Sequence, residues 1–509
     1  MEKPMTGRLC NQQLGFVILL SFVLCLVLLC FDYSALTGSN NGDTSMVNNY
    51  ANLISTQTSH YSDPIFPLPH SPLEFVFNKT DSDSCLGRYI YIHDVPSRFN
   101  EALLQNCHLL TPGAEKNMCP YLSNLGLGPR IGDHEMVLSN DSWYLTNQFL
   151  LEVIFHNKMK NYKCLTNDSS LASAIYVPFY AGLDISRYLF AGASISVRDS
   201  SAIGLLKWLR ERAEWKKLWG RDHFFVVGRI SWDFRRQTDN VSDWGSKLRF
   251  LPESNNMTML SVEASSWNND FAIPYPTCFH PYSEDEITQW QDRMRRQERR
   301  YLFSFAGGPR PDLQGSIRGK IIDQCLASGS LCKLIDCNYG ATNCNNPVSV
   351  MKVFQNSVFC LQPQGDSYTR RSIFDAILAG CIPVFFHPGT AYAQYLWHLP
   401  KNYTTYSLYL PVRNVKDWKL VINETLLGVP KERVLALREE IIKLIPRVLY
   451  ADPKSKLETL EDAFDLALRG IFQRIEGVRR LIREGRDPVI GFADRDDFKY
   501  TFSVYGEES

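Results

Sequence analysis

Residues Leu14 to Phe31, LGFVILLSFVLCLVLLCF, form an 18-residue run with no charged side chain. A globular core helix of that length carries a polar face, and this one has none. About 20 apolar residues span the ~30 Å of hydrocarbon in a bilayer, so the run reads as a transmembrane segment. Lys3 and Arg8 precede it and Asp32 follows it, a bias that keeps the N-terminus cytosolic. A cleaved signal peptide is the rival reading. Its apolar stretch is about 7–15 residues and ends at an A-x-A-like site, whereas the nearest small-residue triplet here is Thr37-Gly38-Ser39. The favoured reading is a retained signal anchor, with a cytosolic tail at 1–13 and everything past residue 31 lumenal.

A lumenal topology gives meaning to the composition beyond the anchor. Between Ser34 and Pro72, 22 of 39 residues are Ser, Thr, Asn, Gly or Pro, too little apolar surface to offset the entropy of ordering. Residues 32–84 therefore read as a flexible stem. Asn-X-Ser/Thr sequons at Asn78, Asn140, Asn167, Asn240, Asn256, Asn402 and Asn423 all lie beyond the anchor, as lumenal glycosylation requires. Of 14 cysteines, Cys10, Cys25 and Cys30 precede or sit in the anchor and eleven lie past it. An oxidising lumen favours disulfides, and an odd number leaves at least one thiol unpaired. Cys325, Cys332, Cys337 and Cys344 lack zinc-site spacing and are expected in disulfides. Cys360 and Cys381 lie in apolar strand-like runs and are expected as buried thiols.

From Cys85 onward, short apolar runs alternate with helical patterns. Strands are expected at 89–92, 174–179 and 224–227, then at 301–305, 333–336, 358–361 and 382–386. Helices are expected at 143–159, capped by Asp141, and at 317–326, 348–354 and 369–378. Continuous apolar strands separated by helices indicate parallel sheets covered on both faces. The fold class is therefore α/β, with two Rossmann-like domains at 85–290 and 296–450 facing a cleft. The Arg-rich run 291–300 joins them as a solvated helix face, and 451–509 is a helical segment packing back across the junction. Lys+Arg and Asp+Glu both number 54. A chain of zero net charge lacks the basic surplus that a nucleic-acid partner demands.

Chemistry concentrates in Val358–Phe386, VFCLQPQGDSYTRRSIFDAILAGCIPVFF, which reads strand, polar loop, helix, strand. Ligands of open parallel sheets bind beyond the carboxyl ends of the strands. The loop at Gly365 and a helix starting near Ser367 suit a diphosphate, with Arg371 as a bidentate donor. Asp375, four residues on, shares its helix face and could accept from two ribose hydroxyls. Spacing alone leaves a second reading, in which Arg371 and Asp375 simply pair with each other.

Five segments carry a family resemblance. CLGRYIYIHDVPSRFN (85–100), FYAGLDISRYLF (179–190), RDHFFVVGRISWDFRR (221–236), LFSFAGGPRPDLQGSIRGKIIDQC (302–325) and Val358–Phe386 together resemble the exostosin-type glycosyltransferases. The resemblance is closest to their plant xyloglucan galactosyltransferase branch. It implies a type II Golgi membrane enzyme of GT-B architecture and inverting mechanism, with UDP-galactose as donor and a xylosyl branch of xyloglucan as acceptor. It also implies complexes with other Golgi glycosyltransferases. Asp375 falls where related enzymes hold ribose with an acidic residue. Arg371, Gly365 and the amides near Ser367 would hold the diphosphate, and Gly307, Gly308, Arg310 and Arg318 would approach the donor from the facing loop.

An inverting transfer needs a general base for the acceptor hydroxyl and charge stabilisation for the leaving diphosphate. Candidate bases at strand ends are Asp233, the favoured one, then Asp184, and His93 with Asp94. Trp232, Trp244, Trp267 and Tyr180 are candidates for stacking on acceptor sugars. Asp-X-Asp occurs at 81–83 and 494–496, neither after an apolar strand, so no metal or other cofactor is expected. Two alternatives stay open: a galacturonosyl- or arabinosyltransferase on the same polymer, and a non-catalytic carbohydrate-binding protein.

Overall fold

Two five-stranded parallel sheets carry the chain in the computed structural model, which describes residues 83–111, 117–132, 136–138, 142–313, 315–337, 344 and 346–488. The anchor, most of the stem, Asp141 and the second Asp-X-Asp lie outside the described residues. The first sheet comprises β1 (Tyr89–Ile92), β2 (Ala172–Tyr176), β3 (His223–Val226), β4 (Thr258–Ser261) and β5 (Asp270–Ala272). The second comprises β6 (Tyr301–Gly307), β7 (Cys332–Asp336), β8 (Ser357–Gln362), β9 (Ile382–Phe385) and β10 (Leu408–Tyr409). The principal helices are α1 (Leu151–Lys160), α2 (Ile195–Arg210), α3 (Glu284–Arg296), α4 (Arg318–Ala327), α5 (Pro347–Gln355), α6 (Ser372–Leu378), α7 (Lys431–Val448) and α8 (Ala463–Arg483).

Most strand positions are apolar because both faces of each sheet are covered. In the first sheet Tyr176, Phe224, Val226 and Leu260 join one buried cluster. Their neighbours Val177, Phe225 and Met259 join another, packed on Leu205, Leu206 and Leu209 of α2. This is the period-2 alternation of a strand with two buried sides. Two of its strands have no clear signature in the sequence: β4 (TMLS) is short and partly polar, and β5 (DFA) buries an aspartate. Asp270 has 0% exposure and accepts from Arg235 Nη2 at 2.6 Å and Arg249 Nε at 3.0 Å. Burial opposes its ionisation, but the two guanidinium groups outweigh that and hold the carboxyl well below the usual range.

The two sheets differ in winding. The first runs in chain order, β1-β2-β3-β4-β5, without the reversal that a Rossmann-like half would have. The second runs β10-β9-β8-β6-β7, so the chain steps from β6 to β7 and then returns past β6 to β8. That reversal is a topological switch point, which opens a crevice at the carboxyl ends of β6 and β8.

The last helix completes the first sheet. Asp462 caps α8 by accepting from the backbone N–H groups of Phe464 and Asp465 at 2.9 and 3.1 Å. The same carboxylate pairs with Lys158 of α1 at 2.8 Å, and both groups are buried. Phe464 packs on Phe155 with ring centroids 4.8 Å apart. The Arg-rich run belongs to α3, which buries Ile287, Trp290 and Met294 and turns Arg295 outward to Glu439.

Three expectations are corrected. The helix expected at 143–159 begins at Leu151, because Trp143 forms a bridge with Phe279 and stacks on its ring at 5.0 Å. The helix expected from Thr369 begins at Ser372, with Arg371 at its N-cap. Cys360, within β8, and Cys381, just before β9, are joined in a disulfide, their Cα atoms 5.8 Å apart, inside bridging range. Cys85–Cys164, Cys107–Cys119, Cys325–Cys332 and Cys337–Cys344 are also joined, and Cys278 is the buried free thiol. The double substitution Cys360→Ala, Cys381→Ala is expected to lower unfolding free energy by about 2–4 kcal/mol, measured by urea denaturation.

Candidate functional site

The crevice at the switch point is walled by the loops that leave β6 and β8. Gly307 closes β6 against the Phe305 ring, which a Cβ would meet at 2.4 Å, and Gly308 follows it. Gly365 lies in the β8 loop where a Cβ would meet Thr369 O at 2.6 Å. Both glycines let backbone approach closely, as a phosphate-binding loop needs.

Three arginines converge between these loops. Arg310 Nε donates to Asp366 Oδ1 at 2.8 Å on the exposed rim. Arg318, first residue of α4, donates from Nε to Gln364 O at 3.0 Å. Arg370 Nη2 donates to Ala306 O at 2.6 Å, and the guanidinium lies 5.5 Å from the Phe305 ring centroid. Its Nη1 is buried with no hydrogen-bond partner among the described residues. Burial and the neighbouring charge of Arg318 push the Arg370 pKa down to about 9. Burial and Arg310 likewise lower Arg318. Partial desolvation opposes the ionisation of Asp366 on this rim, yet Arg310 and the other guanidiniums hold its carboxyl below the ordinary range. Three guanidiniums around one carboxylate leave local positive charge and an unspent donor, which a phosphate would satisfy.

Arg370 is absent from the residues expected from the sequence, which point to its neighbour instead. Arg371 turns the other way. It donates from Nη1 to Thr146 O at 2.9 Å and from Nη2 to Cys278 Sγ at 2.7 Å, both on the first-sheet half. Its Nε stands 3.6 Å from Asp375 Oδ2. Burial raises the Asp375 carboxyl, and Arg371 offsets part of that. The pairing reading of these two residues matches this geometry, with the pair sunk between the halves rather than lying on a helix surface.

Ser367 and Thr369 face the end of β4. Ser367 Oγ, Thr369 N–H and Thr369 Oγ1 each donate to Glu263 Oε2 at 2.7 Å. No sequence signal singles out Glu263, an isolated acid in VEASSW.

Three of the expected base residues are engaged, and the fourth, Asp94, is exposed two residues beyond β1. Asp233 accepts from Arg229 Nε and Trp244 Nε1, each at 2.6 Å. Asp184 pairs with Arg187; burial raises its carboxyl against that cation. Arg229 also donates to Ser186 Oγ at 3.1 Å, so the segments bearing Asp184 and Asp233 meet. His93 stands apart from them. It is buried beside β3, with its Nε2 3.1 Å from His223 Nε2, and burial together with His223 pushes its pKa down to about 3. Among the aromatic candidates, Trp232 is half exposed and Tyr180 is core, bonded to His156 at 2.8 Å. Trp267 lies under Arg235 at 4.7 Å. Asp83 of the first Asp-X-Asp accepts from Cys85 N and Gly87 N in its own turn. No group of three His, Cys, Asp or Glu among the described residues is placed to hold a metal.

Comparison with known proteins adds lineage to this geometry. A family model described as "Exostosin GT47 domain" matches residues 84–425. The chain is 59% identical over 516 residues to the Arabidopsis thaliana protein named "Probable xyloglucan galactosyltransferase GT14", covering 100% of this chain and 98% of that one. It is 54% identical to the Arabidopsis thaliana "Xyloglucan galactosyltransferase MUR3", covering 86% of this chain and 70% of that one. A solved pneumococcal O-GlcNAc transferase, GtfA, aligns at 9% identity over 56% of this chain and 60% of that one, with a TM-score of 0.26. So loose a superposition adds nothing to the fold read from the sheets.

The Arg371–Asp375 pair has a mutational signature. Arg371→Ala strands the Asp375 carboxylate and should lower unfolding free energy by about 3 kcal/mol. Adding Asp375→Ala should recover part of the loss, a non-additivity that a double-mutant cycle in urea measures.

Proposed function

The chain belongs to the exostosin GT47 family, and on that premise we propose that it is an inverting glycosyltransferase that moves galactose from UDP-galactose to xylosyl side chains of xyloglucan. The geometric support is the arginine cradle at the switch point of the second sheet, with its buried, unpartnered Arg370 Nη1. In this reading the diphosphate lies between Arg310, Arg318 and Arg370, against the close-approach backbone at Gly307, Gly308, Gly365 and Ser367. Asp375 receives the ribose hydroxyls. The choice of sugar and polymer rests on the names of relatives that match over most of both chains.

The chemistry comes from the charge. Breaking the anomeric bond leaves a diphosphate carrying new negative charge. Guanidiniums held by Asp366, Gln364 O and Ala306 O stabilise that charge with little reorganisation, so the cradle can do what a metal does elsewhere. The second-sheet half then carries the donor side and the first-sheet half the acceptor side, the GT-B arrangement. The charge-free run Leu14–Phe31 supports a single-pass Golgi anchor with the catalytic part lumenal, where xyloglucan and other glycosyltransferases would be its partners.

The test is transfer from UDP-galactose to galactose-free xyloglucan by the purified full chain, compared with UDP-galacturonate and UDP-arabinose. No transfer from any donor overturns the enzyme reading. Arg370→Ala and Arg318→Ala should each weaken UDP binding by about 10–100-fold, the value of a lost charge-assisted hydrogen bond, read by calorimetry. Unchanged affinity in both would place the diphosphate elsewhere.

A further inference from the structure

Three of the expected bases are each spent on a partner, and the fourth, Asp94, is exposed two residues beyond β1. Asp233 has a donor on both oxygens, Asp184 is paired with a cation, and His93 is buried against a second imidazole. One carboxylate at the edge of the donor loop is not spent in this way. We propose that Glu263 is the general base that takes the proton from the attacking acceptor hydroxyl, a role that rests on the proposed donor site.

Glu263 lies two residues beyond β4, at the carboxyl end of a strand of the first sheet. Its backbone is fixed: its carbonyl accepts from Ser231 N–H at 2.9 Å and Ser261 Oγ at 2.8 Å. Its side chain crosses to the second-sheet half, where Ser367 and Thr369 place three hydrogen bonds on Oε2. Oε1 has no hydrogen-bond partner among the described residues and is not sealed from solvent. No Lys, Arg or His among them forms an ion pair with it. One oxygen is thus anchored to the donor loop and the other is open, and the residue keeps 7% exposure. Burial pushes the carboxyl above its usual range, with the bonds from Thr369 and Ser367 offsetting part of the rise and Asp233 adding to it. A carboxylate of raised proton affinity, rigidly held and without a cation, has the properties that proton abstraction requires.

Atoms and electrons balance in a single displacement. The acceptor oxygen forms a bond to the anomeric carbon as its proton passes to Glu263 Oε1. The bond from that carbon to the β-phosphate oxygen breaks, and its electron pair leaves with the nucleoside diphosphate into the arginine cradle.

Glu263→Gln separates anchor from base, because an amide oxygen can still accept from Ser367 and Thr369 but cannot take a proton. The full-length variant should bind UDP within about threefold of the unsubstituted protein in calorimetry. It should lose about 10²–10⁴-fold in kcat with UDP-galactose and galactose-free xyloglucan. Glu263→Asp, which keeps the carboxylate, should fall between the two. A Gln variant with kcat within threefold of the unsubstituted chain overturns the proposal. So does parallel loss of UDP binding and turnover in a folded Gln variant, which would make Glu263 a holder of the loop alone. Failure of the unsubstituted protein to bind UDP would instead overturn the donor site, and this role with it.

Discussion

A parallel sheet can leave neither face to water, and the first sheet lacks enough helices of its own to meet that demand. Its neighbours in sequence, α1 and α2, are joined by α8, which arrives from the far end of the chain. The Lys158–Asp462 pair and the Phe155–Phe464 contact fix that helix in place. With α8 seated, one apolar cluster runs without a break from Ile90 and Phe224 in the first sheet to Phe303 and Phe359 in the second. The short bonds between the halves depend on this shared core. Arg371 to Thr146, Tyr275 to Thr369 and Glu263 to Ser367 could not hold their geometry across a loose junction.

Much of this is legible in the sequence because parallel strands leave a plain mark. Runs such as FFVV (224–227) and IPVF (382–385) are apolar at every position, since each residue faces one buried side or the other. The strands without such a mark are those where the burden is shared. β5 hides an aspartate that only Arg235 and Arg249, some 20 to 35 positions away, make tolerable. The stretch from Trp143 has apolar spacing that suits a helix, yet a strand-like pairing with Phe279 wins. Cys360 and Cys381 read as thiols because a disulfide between neighbouring strands has the same apolar surroundings as two unpaired sulfurs.

The site is legible at the level of the loop and not of the side chain. The donor loop does lie between β8 and its helix, but the helix begins later than its sequence suggests. That delay changes what the two consecutive arginines do. Arg370, still on the loop, turns to Ala306 O and keeps a free nitrogen; Arg371, at the N-cap, turns into the other half. Adjacent residues of identical chemistry thus take opposite tasks, and only the backbone direction decides which. Zero net charge conceals the same division. Arg236 is spent bidentately on buried Asp199, while the cradle keeps its surplus, so positive potential survives locally in a chain that is neutral as a whole.

The dependence of the first sheet on α8 has a consequence in time. About 300 residues separate α1 from the helix that covers it. At a synthesis rate of about 5–20 residues per second, β1 and β2 exist for roughly 15–60 s before their last cover is made. Throughout that interval one face of a sheet rich in Tyr, Ile and Phe stands bare, and the second sheet is assembled beside a neighbour that is not yet finished. The order of manufacture is therefore the reverse of the order of completion: the half that is made first is the half that closes last.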